Sequence, residues 1–223
     1  MIGAKFLGNM DSRTFYLGNV NCIAFRGGIP IGRTILGPRM PGDLSLLEKT
    51  LTAAQRDMAT VTKKGASLAA APYGSREHRT VTHVDDRGTV TELFDTRWNW
   101  HPDPVCFAYT YTIRQGRAKG WGLHKQHEDR YFLLDGRMEI VCYDVRPDSP
   151  TCGQISKIVL SPENPRIFSI PTFVWHVNIN IGSGDLRVIN FPTQPYDHTN
   201  PDKYRLPLDT DLIPYRLDPS IGW

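Results

Sequence analysis

The chain has few cysteines, little net charge and no long apolar run, and each shortage removes a class of protein. Cys22, Cys106, Cys142 and Cys152 are the four cysteines among 223 residues, and no two stand in a CxxC spacing. Zinc-ribbon and thioredoxin-type sites are therefore not indicated. Four reduced thiols in a cytoplasmic protein are expected. Met1–Met10 holds one lysine, and no apolar core builds behind it before Asp11 and Arg13, so no signal peptide is expected. No uninterrupted apolar run approaches the roughly 20 residues of a membrane helix, so no membrane partner is expected. With 26 Lys and Arg against 23 Asp and Glu, the charge is too even to name nucleic acid as a partner. A 40% hydrophobic and 22% charged composition excludes wholesale disorder. A chain of this length can bury a core without staples.

What is present falls into two unlike parts. Residues 1–78 hold ten Lys and Arg against five Asp and Glu, and the remainder is slightly acidic. Gly27-Gly28, Pro30, Gly37-Pro38 and Pro41-Gly42 punctuate the start, which reads as a poorly ordered extension. One helix is expected over residues 43–58. Asp43 or Ser45 can cap it, Ser45 with Glu48 forms a capping box, and Leu47, Leu51 and Ala54 share a face. Residues 63–75 read as a linker.

Residues 79–223 change texture to short runs rich in β-branched and aromatic residues. Residues 105–113, 131–134, 138–144, 154–160, 166–170, 174–180 and 186–191 read as strands. Asp135-Gly136 reads as a hairpin turn. Regularly spaced short strands imply a sandwich or barrel, and a double-sheet jelly roll is expected. Two polar clusters sit on it. One runs from Gly120 through His124, Gln126, His127 and Asp129 to Gly136, and the other from Ile170-Pro171 to His176 and Asn180. Strand parity puts Val174, His176, Asn178 and Asn180 on one face. Such a face either lines the wet mouth of a ligand cavity or satisfies backbone groups near strand ends.

These clusters resemble the two cupin motifs. His124, Asp129 and Gly136 stand where the first motif has its second histidine, its acid and its last glycine. Pro171, His176 and Asn180 match the second motif. Gly122 replaces the leading histidine and Phe173 replaces a glycine. The resemblance implies an all-β cupin-type double-stranded β-helix. A cupin metal would have His124, Asp129 and His176 here, with parity sending His127 to the other face; no metal or other cofactor is expected.

A narrower resemblance covers Thr80 to Tyr215. Asp86-Arg87-Gly88 with Glu92, Gly122-Leu123-His124-Lys125-Gln126, Asp144-Val145-Arg146 through Gly153, Leu160 to Asn164, and Ile170-Pro171 with His176 follow the order of the dTDP-4-dehydrorhamnose 3,5-epimerase family. That family inverts stereocentres beside a ketone on a nucleotide-linked sugar. The resemblance implies His124 as the base and His176 as stabiliser of the enolate oxygen. It implies Arg87, Glu92, Lys119, Gln126, Arg146, Asn178, Asn190 and Tyr196 as substrate-binding residues, and a homodimer exchanging edge strands. Asn190 stands at the family's tyrosine acid and cannot deliver a proton at neutral pH. A late aspartate that partners the base has no evident counterpart, which would cost His124 orientation and basicity. Tyr109, Tyr111, Tyr131 and Tyr196 are alternative acids. Three activities remain open: a nucleotide-sugar epimerase or isomerase, a non-catalytic sugar or nucleotide-sugar binder, and a metal-dependent cupin acting on another small molecule.

Overall fold

The computed structural model describes residues 44–57, 59–64 and 70–222. The expectations on residues 1–43, including Cys22 and the Asp43 cap, lie outside the described residues. The chain forms two compact units, Met1–Arg56 and Asp57–Trp223.

In the first unit, α1 spans Leu44–Ala53, shorter than the 43–58 expected. The Thr50 and Thr52 hydroxyls bond back to the carbonyls of Leu47 and Glu48. Such back-bonding weakens helix propagation. Leu47 and Leu51 are exposed.

In the second unit the strands are β1 Glu77–Arg79, β2 Thr82–Asp85, β3 Gly88–Thr91, β4 Tyr109–Ile113, β5 Ala118–Leu123, β6 Asp129–Asp135, β7 Met138–Asp144, β8 Ile155–Leu160, β9 Arg166–Ile170, β10 Val174–Asn180, β11 Leu186–Asn190 and β12 Tyr204–Arg205. One sheet has the order β1-β9-β6-β11-β4 and the other β12-β5-β10-β7-β8, while β2 and β3 form a separate hairpin. All pairings within these sheets are antiparallel.

The closed double-stranded β-helix expected from the cupin motifs is corrected here to two open sheets facing each other. β1 and β4 end one sheet, β12 and β8 end the other, and no ladder joins them. Closure needs long, continuously staggered strands. The terminal strands β1 and β12 have only three and two residues, too short to carry a ladder across.

Alternation builds the core. Tyr131, Leu133, Phe168 and Val188 of one sheet meet Met138, Ile140, Cys142 and Val174 of the other. Each fully buried apolar side chain of this kind contributes roughly 1.5–3 kcal/mol. The outer face of the second sheet, with Trp121, Val141 and Val177, is covered by Leu208, Ile213 and Tyr215 from the C-terminal segment. The outer face of the first, with Phe132, Ile167 and Phe191, is covered by Phe94 and Trp100. Trp100 is thus a packing residue, and Trp98 stacks on His78 with ring centroids 4.2 Å apart.

Three local expectations change. Asp135-Gly136 is a turn, but β6 and β7 lie in different sheets, so it is a crossover and not a hairpin. Gly136 has φ +87°, and a Cβ there would lie 2.6 Å from the Leu186 Cβ, which is why glycine is required. The strand expected from Val105 starts only at Tyr109. Residues before it are drawn aside: the buried Arg130 guanidinium donates to the carbonyls of Asp103 and Pro104. Finally, the end of the expected linker is bonded to the segment between β7 and β8, since the Tyr73 N–H donates to Thr151 Oγ1 and Arg146 Nη2 donates to the Tyr73 carbonyl.

Candidate active site

The glycine-rich β5 was not among the expected strands, yet it places the site. Gly120 packs so closely on β10 that a Cβ would lie 2.6 Å from the His176 carbonyl oxygen. Gly122 pairs with His176 in register. A side chain at position 122 would approach His176 Nε2, so the absent leading histidine leaves open space in the site. The chain then leaves β5, and His124 stands in the connection to β6.

His124 is held from three sides. Its Nδ1–H donates to the Asp202 carbonyl, fixing the tautomer. Its own carbonyl accepts from the Phe173 N–H at 2.8 Å. Phe173, in the motif's glycine position, has φ +59°, so the left-handed conformation is kept without glycine. The third side is Asp129, whose Oδ2 lies 3.2 Å from His124 Nε2. His124 therefore has a carboxylate partner, contrary to expectation, and it comes from the start of β6. The Asp202 carboxylate adds the loop anchor, accepting from the N–H groups of Lys125 and Gln126.

Asp129 is the hub. Its Oδ2 accepts from the Tyr131 hydroxyl at 2.6 Å and lies 3.4 Å from His176 Nε2. Its Oδ1 accepts from Asn190 Nδ2 at 2.7 Å. Burial works to raise this carboxyl, but the charge and hydrogen bond of His124, then those of His176, hold it well below the usual carboxylate range. Burial likewise works to lower His124, while the Asp129 charge and hydrogen bond and the Asp202 carbonyl raise it above its ordinary value. His127 is not on the opposite face. It lies outside the strands, so parity does not govern it, and its ring lies beside that of His124, tilted by 34° with centroids 4.1 Å apart. Burial and then the His124 charge lower its pKa.

A cavity of about 270 Å³ opens beside this cluster. His124, Asp129 and His176 line it, as do Tyr109, Tyr111, Tyr131, Lys119, Asn178, Lys203 and Arg205. Asn178 Nδ2 donates to the Tyr111 hydroxyl, while its buried Oδ1 has no partner. Sequence reasoning missed Lys203 and Arg205. They alternate around Tyr204 on β12, which docks on β5, but two residues are too few to show a strand period.

Other expected site residues lie elsewhere. Asn190 is fully buried behind the cavity wall, between Asp129 and Tyr109. Arg146 is clamped by Asp144 within a turn off the cavity. Arg87 pairs with Asp85 at the exposed tip between β2 and β3, and Glu92 is exposed beside β3. Gln126 is exposed, and Tyr196 sits edge-on to His198, both off the cavity wall.

Among the described residues, two groups bring metal-ligating atoms within 4.8 Å of one another: His124, Asp129 and His176, and His124, His127 and Asp202. The first group fits a metal in one respect. Both histidines donate Nδ1–H to backbone carbonyls, of Asp202 and Val174, which leaves each Nε2 facing Asp129.

Two open antiparallel sheets with a cavity lined by histidines, tyrosines and cations make up the architecture. A dTDP sugar isomerase from Desulfovibrio desulfuricans has the same fold, with a TM-score of 0.60 and 23% identity over 66% of this chain and 94% of that one. Residues 83–204 match the family described as the polysaccharide biosynthesis C-terminal domain, and the chain belongs to that family. A probable low-salt glycan biosynthesis epimerase, Agl13 of Haloferax volcanii, is 35% identical over 57% of this chain and 82% of its own length. The spore coat polysaccharide biosynthesis protein SpsL of Bacillus subtilis is 30% identical over 63% of this chain and 92% of its own. No helix among the described residues is long and apolar enough to cross a membrane.

Proposed function

We propose that this protein is a nucleotide-sugar epimerase or isomerase. Its substrate is a 4-keto-6-deoxyhexose linked to a nucleoside diphosphate. The observation that carries this reading is the buried His124–Asp129 pair facing a cavity whose wall also holds Lys119, Lys203 and Arg205. The chemistry begins with removal of the proton beside the ketone. His124 takes it at Nε2, and Asp129 stabilises the imidazolium that results. His176 stabilises the enolate oxygen as the doubly protonated ring, whose Nε2–H donates while Nδ1–H stays on the Val174 carbonyl, and Asn178 Oδ1 takes a sugar hydroxyl. The cations fit a diphosphate. The named activities of Agl13 and of the dTDP sugar isomerase support the same reading.

A homodimer and a cytoplasmic location belong to this reading. The β2–β3 hairpin carries exposed Val84 and Val90, and covering it with a second copy would bury them. The test is solvent deuterium incorporation into dTDP-4-keto-6-deoxyglucose, followed by mass spectrometry. The wild type incorporates deuterium at the carbon beside the ketone, and His124→Ala loses this by about 10³-fold. Stabilisation by the nucleotide sugar without any exchange would instead make the protein a binder.

A second reading rests on the paired Nδ1–H bonds. His124, Asp129 and His176 would hold a divalent metal, which would supply Lewis acidity at the substrate oxygen. Metal analysis of protein purified without chelator decides it, a near-zero content ending this reading.

A further inference from the structure

In the epimerase family that the sequence resembles, the acid stands where this chain has Asn190, so the proposed reaction needs its donor from another residue on the face opposite the base. The structure shows where a hydroxyl has been kept. Asn190 on β11 and Tyr109 on β4 are directly opposed across the ladder. Asn190 Nδ2 donates to the Tyr109 hydroxyl at 2.9 Å and to Asp129 Oδ1 at 2.7 Å. The hydroxyl missing from one strand is thus presented by the cross-strand neighbour, and the asparagine holds it.

Three tyrosines line the cavity, and the fates of their protons separate them. The Tyr131 proton goes to Asp129 Oδ2, the hub that serves the base. The Tyr111 hydroxyl accepts from Asn178 and points its proton at the Met138 sulfur. The Tyr109 hydroxyl accepts from Asn190, and among the described residues no acceptor takes its own proton. Tyr109 is 39% exposed, so water can reprotonate it, whereas Tyr131 is 3% exposed. Tyr109 also comes from the sheet opposite β5, the strand that leads to His124, so a sugar between the sheets has one group on each side.

We propose that Tyr109 is the acid that returns a proton to the face of the enolate opposite His124. This rests on the epimerase reading above. His124 removes the proton, leaving the electron pair in the enolate. As the carbonyl re-forms, the enolate carbon takes the proton of the Tyr109 hydroxyl, and the resulting tyrosinate takes one from water. His124 gives its proton to solvent, so the cycle balances. Burial pushes the Tyr109 hydroxyl up to about 12, with the Asp129 charge adding to it, so the group enters the cycle protonated.

The experiment uses the full chain with dTDP-4-keto-6-deoxyglucose in deuterium oxide. Exchange is read by mass spectrometry, and the configuration at the exchanged carbon by NMR. The wild type exchanges with inversion. Tyr109→Phe loses inversion by about 10²–10³-fold while deuterium still enters with retention, delivered by His124. Inversion at the wild-type rate in Tyr109→Phe, loss of both exchange and inversion in that variant, or selective loss of inversion in Tyr131→Phe or Tyr111→Phe instead, each overturns the assignment. Should Tyr109→Phe melt early, a difluorotyrosine at position 109 serves. It moves the alkaline limb of the inversion rate to lower pH and leaves exchange in place; an unmoved limb counts against the assignment. A wild type with neither exchange nor inversion removes the epimerase reading itself, and Tyr109 with it.

Discussion

Asp129 and Asp144 are both buried carboxylates held below the usual range, yet they do different things. Asp144 is satisfied by its own neighbourhood. Arg146, Ser149 and Thr151 all bond to it from within seven residues of chain, and it does not line the cavity beside His124. Burial works to raise this carboxyl, and those three side chains depress it. Asp129 takes His124 and Tyr131 from nearby in the chain but also His176 from β10 and Asn190 from β11, and it faces a cavity. A depressed carboxyl therefore does not mark a site. Proton-carrying partners drawn from more than one strand, together with open space, do.

Substitution separates the two most sharply. Asp129→Asn should lower proton exchange by about 10³-fold, because His124 loses the charge that stabilises its protonated form. Asp144→Asn should leave the rate per folded molecule unchanged and cost about 3 kcal/mol in urea unfolding, because the Arg146 guanidinium is left in a part-buried turn without its charge partner. Equal effects of both on rate would erase the distinction.

A pH series makes the next cut. In the proposed reaction His124 must be unprotonated to act as base, and its pKa is raised. The acid limb of the exchange rate should thus lie above about 6.5, the ordinary imidazole value. Asp129→Asn should bring that limb down in whatever rate remains. Stability behaves oppositely for the two kinds of group. The raised His124 contributes below its unfolded pKa, and this is lost as pH rises through the folded value. The depressed Asp129 and Asp144 contribute above pH about 4, and this is lost as pH falls toward their folded values. Urea midpoints across the series check both signs. The smallest expected effect is at the backbone that supports His124. Phe173→Gly should raise stability by up to about 1 kcal/mol, since its left-handed conformation suits glycine, and should leave the rate unchanged.

The sequence showed β7, β9 and β10 with correct bounds because their β-branched and apolar alternation matches the faces they bury. It did not show β5, where Gly120 and Gly122 suppress strand propensity in exchange for close approach to β10. The Asp135-Gly136 signal is local and carries no information about which sheet each flanking strand joins. The place of His124 and His176 together on one cavity was legible through motif order, and that of Asn178 through strand parity. Arg146 was legible in the same way but serves the Asp144 turn, since spacing reveals that residues recur together, not what they touch. The carboxylate partner of His124 was sought late in the chain, while Asp129 lay five residues away behind a bend that strand parity cannot describe.

β12 gives the molecule an order of assembly. Chain synthesis proceeds from the N-terminus, and β11, the last long strand, ends at Asn190. Both sheets can pair before Asp202 leaves the ribosome, but the carbonyl that fixes the His124 tautomer and the Lys203 and Arg205 side chains on the cavity arrive only afterwards. A nascent chain halted between these points would hold its long strands paired, the outer face of the second sheet still bare, around an unfinished site.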